Sequence, residues 1–251
     1  MIIDIHAHGC TPGGDVKRGE QLLLKAIEKY NIKKVYISNL MAIYPTKDQV
    51  TEGNNLAYNF MKQNPEKIGG FLYVSPEHDN ALDVVKRGIE EQGFSGVKIW
   101  VSQKCDAPCM DKVAKATIDY GVPMLIHTFH KSRNQGENES VGKNVASLAK
   151  RFPELKIIMA HLGGNCYNGI PMIRKLKNVW VDLSCTMFHS SYLDYTLDNI
   201  GADRILFGTD MPGGPFLNNV GKVLHSNTTE YERELIFYKN ALKILDRNYR
   251  L

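Results

Sequence analysis

Apolar, β-branched runs of about five residues recur eight times along the chain, each followed by a stretch whose apolar residues repeat at helical spacing. The runs begin near Ile2, Lys34, Gly69, Gly96, Pro123, Lys156, Val179 and Arg204. Between them, residues 20–30 place Leu22, Leu23, Ala26 and Ile27 on one helical face, and residues 81–91 place Leu82, Val85 and Ile89 on another. Val35-Tyr36-Ile37, Ile157-Ile158-Met159 and Ile205-Leu206-Phe207 are apolar without alternation, the pattern of parallel strands covered on both faces. Eight such βα units predict an α/β chain forming a single-domain (β/α)8 barrel, a TIM barrel, over residues 1–251. The 251 residues give each unit about 31, close to the roughly 30 of the smallest such units, so no second domain is expected. Residues 230–245 are amphipathic with no strand after them and are expected to pack as the last outer helix.

A doubly wound open sheet uses the same alternation but usually carries a glycine fingerprint for a nucleotide. No G-x-G-x-x-G follows a strand here, and Gly221-Lys222 is followed by Val223, which breaks the phosphate-loop pattern. A covalent serine mechanism has no support either, since G-x-S-x-G is missing.

The net charge of +4 is spread along the chain without a run of like charges, which excludes an electrostatic footprint for nucleic acid or an anionic membrane. Small molecules are the expected partners. No apolar stretch reaches the roughly 18 residues of a membrane span. The opening Met1-Ile2-Ile3-Asp4-Ile5-His6 lacks the basic and apolar regions of a secretory signal, so a cytoplasmic location is expected. Five cysteines, Cys10, Cys105, Cys109, Cys166 and Cys185, are odd in number and too sparse for a disulfide scaffold. All five follow strands on the side where a barrel keeps its chemistry, and are read as packing thiols.

A barrel places its chemistry at the carboxyl ends of its strands. There the chain puts His6 and His8 on the first strand, His127 on the fifth, His161 on the sixth and Asp210 on the eighth. Side chains alternate along a strand, so His6 and His8 share a face. Burying four imidazoles and a carboxylate in one mouth is costly unless something pairs with them, and a divalent cation is the simplest partner.

Taken in order, I-D-I-H-A-H at 3–8, G-F-S-G-V-K-I-W at 93–100, P-M-L-I-H-T at 123–128, K-I-I-M-A-H-L-G-G at 156–164, V-W-V-D-L-S at 179–184 and R-I-L-F-G-T-D-M-P at 204–212 resemble the amidohydrolase superfamily. The likeness is strongest to its amidohydrolase-2 branch of metal-dependent hydrolases and decarboxylases. It implies His6, His8, His127 and Asp210 as ligands of one divalent metal, with Asp210 also handling a proton. His161 would orient substrate or act as acid and base. In binuclear members the sixth-strand histidine binds a second metal beside a carboxylated lysine, for which Lys98 is the candidate; the G-V-K context favours one metal. Three imidazoles and a carboxylate suit Zn²⁺, with Mn²⁺, Fe²⁺ and Co²⁺ as alternatives. The implied reaction is hydrolysis of an amide, ester or lactone with Asp210 as general base and acid, the alternative being nonoxidative decarboxylation on the same site. Lys98 and Arg133 are candidates for binding substrate, Arg133 in the long polar loop after the fifth strand. Barrels of this family often pair, so a homodimer is expected.

Overall fold

The structure, a computed structural model, describes residues 1–184, 189–249 and 251. Cys185 and Phe188 lie outside the described residues. Eight strands alternate with helices: β1 (Ile3–Ala7), α1 (Val16–Lys29), β2 (Lys34–Ile37), α2 (Lys47–Gln63), β3 (Ile68–Tyr73), α3 (Ala81–Glu90), β4 (Gly96–Ile99), α4 (Met110–Asp119), β5 (Met124–Ile126), α5 (Gly142–Arg151), β6 (Ile157–Met159), α6 (Cys166–Ile173), β7 (Val179–Asp182), α7 (Ser190–Ile200), β8 (Ile205–Leu206), α8 (Phe216–His225), α9 (Glu230–Glu234) and α10 (Asn240–Leu245). Neighbouring strands pair in parallel in the order β1 to β8. The seam between β8 and β1 is closed by backbone hydrogen bonds from Ile5 N to Phe207 O (3.0 Å) and from His8 N to Met211 O (2.7 Å). The chain is a TIM barrel. Among the described residues no helix is long and apolar enough to cross a membrane.

Helix α1 starts at Val16, before the apolar periodicity of residues 20–30. Asp15 accepts from Arg18 N and fixes the first turn, where Val16 stands alone ahead of the apolar repeat. The outer core lies between strands and helices, as Val35, Ile37, Leu23, Ile27 and Ala57 show. Inside the barrel, Ile3, Ile5, Phe71, Leu125, Ile158, Trp180 and Leu206 pack across the lumen from six strands. Ala241 and Ile244 of α10 join this inner cluster. The last helical segment therefore closes the amino-terminal mouth of the barrel, where the sequence predicts an outer helix. An amphipathic pattern shows that one face is buried but not which layer receives it. Tyr249 packs edge-on against Trp180, with ring centroids 6.2 Å apart, and extends the plug.

Candidate active site

The carboxyl end of the barrel holds the buried charge. The β1–β2 register shifts between Asp4 and Ala7, an irregularity of the kind that re-aims side chains beside sites. Asp4 steadies it by accepting His6 N (3.1 Å), Thr209 N (3.1 Å) and the Thr209 hydroxyl (2.5 Å). Burial raises the Asp4 carboxyl to about 7. Gly208 opposite sits close against the site: a Cβ there would lie 3.1 Å from His6 Cβ and 3.2 Å from Asp182 Cβ, a tight contact.

His6, His8 and Asp210 converge. His8 Nε2 is 3.0 Å and His6 Nε2 3.7 Å from the same oxygen, Asp210 Oδ1. His8 Nδ1 donates to Ser38 O at 2.8 Å, which leaves its Nε2 lone pair facing the carboxylate oxygen. Two acceptors at that distance repel unless a proton or a cation is shared between them. This is the chemistry of a cation site, and the three donor atoms lie within 4.8 Å of one another. Burial would raise the Asp210 carboxyl, but the His8 hydrogen bond and the neighbouring imidazoles hold it well below the usual range. Asp210 has φ +61°, and His161 and Leu162 have φ +60° and +49°. For residues with side chains this left-handed backbone carries strain of the kind found at functional sites.

Lys98, from β4, is wholly buried, and its Nζ donates to His6 Nε2 at 2.8 Å. Burial lowers its ammonium to about 8, against the pull of Asp210 and Asp182. Burial and the charge of Lys98 together lower His6 to about 4. His161 Nε2 lies 3.2 Å from His127 Nδ1, and burial lowers both rings. On its other side His127 Nε2 donates to Glu139 Oε1 at 3.0 Å, and Lys131 Nζ holds Glu139 Oε2 at 2.8 Å. Beside them a cavity of about 380 Å³ is lined by Trp100, Tyr44, Ile43, His127, Lys131 and Glu139 among others.

A family model described as Amidohydrolase matches residues 42–247. The chain belongs to the amidohydrolase family. It is an enzyme of that superfamily, in the amidohydrolase-2 branch. The match begins beyond β1, so His6 and His8 enter the site on geometry rather than on that match. Among solved structures, this amidohydrolase is similar to 2,6-dihydroxybenzoate decarboxylase from Rhizobium, at 18% identity over 97% of this chain and 98% of that one, with a TM-score of 0.77. A dihydroxybenzoic acid decarboxylase from Polaromonas sp. JS666, with bound manganese and 2-nitroresorcinol, matches at 17% over 97% and 96%, TM-score 0.76. A Staphylococcus aureus protein named as an amidohydrolase matches at 17% over 97% and 99%, TM-score 0.79. At these identities the likeness is one of fold.

Of the residues expected to meet in this amidohydrolase, His6, His8, His161, Asp210 and Lys98 share one cluster. His127 touches it through His161 but stands outside the close donor set, with Glu139 on its Nε2. Arg133 is exposed and joins none of these contacts; Lys131, from the same loop, faces the site. The described cysteines are free, and burial pushes the Cys105 thiol up to about 12. His189 is exposed and caps α7. Two acidic residues of the site were not predicted. Asp182 ends β7 and accepts from His6 Nδ1 at 2.9 Å; its place at a strand end was the available signal. Glu139 comes twelve residues after His127 in an irregular loop, where no periodicity points to it.

Proposed function

We propose that this chain is a metal-dependent nonoxidative decarboxylase of a small carboxylic acid. The observation that carries the reading is Lys98: a fully buried ammonium at the centre of a cation-binding cluster makes a pocket for a desolvated anion. A neutral ester or amide gives such a cation no partner. The decarboxylases of similar fold, which are named for hydroxylated benzoic acids, support the same direction.

His6, His8 and Asp210 would hold the ion, with His127 beside them. A bound divalent metal would supply positive charge that orients and polarises the oxygen atoms of the substrate. The mixed nitrogen and oxygen donors accept Mn²⁺ as readily as the Zn²⁺ favoured on sequence grounds, and the Polaromonas protein carries manganese. Lys98 pairs with the carboxylate. The bond from carbon to that carboxylate breaks, carbon dioxide leaves, and the electron pair stays on carbon, which takes a proton. His161 handles that proton at Nε2, because its Nδ1 is engaged by Ser184 Oγ at 2.8 Å.

Hydrolysis is the second reading, favoured by Asp210, whose partly exposed carboxylate beside His8 is placed to take a proton from water. The deciding experiment loads the protein with Mn²⁺ and measures carbon dioxide released from a panel of mono- and dihydroxybenzoic acids, alongside hydrolysis of a panel of esters, lactones and amides. Metal-dependent carbon dioxide release is expected. Turnover of the second panel alone would overturn the decarboxylase reading.

A further inference from the structure

The β7 carboxylate Asp182 is fully buried, groups with His6 and His161 in a second set of close donor atoms beside that of His6, His8 and Asp210, and has no part in the reaction steps above. It gathers four donors: His6 Nδ1 at 2.9 Å, the His161 backbone N–H at 3.2 Å, the Ser184 N–H at 2.9 Å and the Ser184 hydroxyl. An ionised carboxylate only accepts, so His6 must carry its hydrogen on Nδ1. Ser184 has one hydroxyl hydrogen, and it points at Asp182 Oδ1. The Ser184 oxygen is then left to accept from His161 Nδ1 at 2.8 Å, so that ring too carries its hydrogen on Nδ1. Lys98 tests half of this independently. An ammonium has no lone pair to offer, so its 2.8 Å contact requires an unprotonated Nε2 on His6.

We propose that Asp182, together with Ser184, is a positioning residue that sets the tautomers of His6 and His161 at once, leaving the Nε2 lone pair of His6 facing Lys98 and that of His161 facing His127 Nδ1, where a proton or a cation is shared. His6 is thereby prepared as a ligand and His161 to take up at Nε2 the proton that it then gives to carbon. The bond to His161 N also holds that residue's left-handed backbone, so one carboxylate fixes both the ring and the main chain beneath it. The inference rests on the reading that His6 holds the metal, and partners of this kind commonly set ligand orientation and affinity.

The test is long-range ¹H–¹⁵N correlation NMR of the imidazoles in metal-free, ¹⁵N-labelled protein, paired with Zn²⁺ affinity by chelator competition. The Nδ1–H tautomer is expected for both His6 and His161. Asp182→Asn should lose it at His6 and bind Zn²⁺ about 10- to 100-fold more weakly, whereas Ser184→Ala should release His161 and leave Zn²⁺ affinity within about twofold. A purely structural role for Asp182 would lower the melting temperature of Asp182→Asn while leaving the His6 tautomer and the Zn²⁺ affinity of the folded variant unchanged. An Nε2–H tautomer at either ring of the unmodified protein, or Asp182→Asn binding Zn²⁺ within about twofold of the parent, overturns the proposal. If Asp182→Asn does not fold, the parent spectrum and Ser184→Ala still decide it. A parent that binds no metal refutes the metal-dependent function above, and the tautomers of the same sample then decide the positioning role separately.

Discussion

Gly164→Ala tests how tightly the loops that carry His127 and His161 are locked together. Gly164 has φ +74°, and a Cβ built on it falls 2.4 Å from Phe129 Cα and 2.4 Å from His130 N, both backbone atoms that cannot swing aside. Gly13 supplies the control, with φ +76° and nothing within 4 Å of its Cβ. Both substitutions cost about 1–2 kcal/mol for placing a side chain in left-handed backbone. Only Gly164→Ala adds the clash, about 1–3 kcal/mol more, for a total of about 2–5 kcal/mol. At about 2–4 °C per kcal/mol for a chain of this size, Gly13→Ala should lose about 2–8 °C and Gly164→Ala about 4–20 °C. The clash also pushes apart segments whose histidines lie 3.2 Å from each other, so kcat/KM should fall in Gly164→Ala and hold in Gly13→Ala. Thermal melts of both variants in the same buffer, with turnover measured below the transition, make the comparison. Equal losses of melting temperature with unchanged turnover in both would refute the close approach of the two loops.

Lys98→Met should abolish turnover of an anionic substrate without lowering the melting temperature, because an apolar side chain of similar length removes a buried cation that is costly to desolvate; a marked loss of stability would show that Lys98 is a structural ion-pair partner. Metal analysis should find one equivalent in the parent and in His161→Ala, which keeps the ion and loses turnover, and little in Asp210→Asn; a stoichiometry of two that His161→Ala halves would favour a binuclear centre with Lys98. The stability advantage of the parent over Glu139→Gln should be complete above about 4.5 and fade as pH falls toward 2: burial raises this carboxyl, but hydrogen bonds from His127 and Lys131 outweigh it and lower it to about 2. Melts across that range that show a constant difference would contradict the His127–Glu139–Lys131 contact.

The barrel was legible because its evidence is repeated. Each strand start read from β-branched runs lies within one residue of the observed one, for example Val179 at β7 and Met124 against Pro123 at β5. The strand-end rule also picked out His6, His8, His161 and Asp210, which the fold gathers into one cluster even though His161 and Asp210 lie past the ends of β6 and β8 in left-handed backbone. Asp182 satisfies the same rule but is embedded in an apolar run, where it reads as the edge of a strand. Glu139 and the exposure of Arg133 depend on how one long loop folds back, which no repeating pattern encodes. The plug formed by α10 depends on layer, and periodicity leaves layer open.

That plug carries a consequence for how the chain acquires its shape. Ile3 and Ile5 share one cluster with Ala241 and Ile244, a separation of almost the whole sequence, and contacts of such long range bear a large loop-closure entropy and tend to form late. The inner layer therefore stays incomplete until residues 240–245 arrive. Until then Trp180, Phe71 and Leu206 face an open mouth as an apolar surface able to drive association between chains. Changes that loosen α10 should thus appear first as poor refolding yield at high protein concentration, before they alter the catalytic end of the barrel.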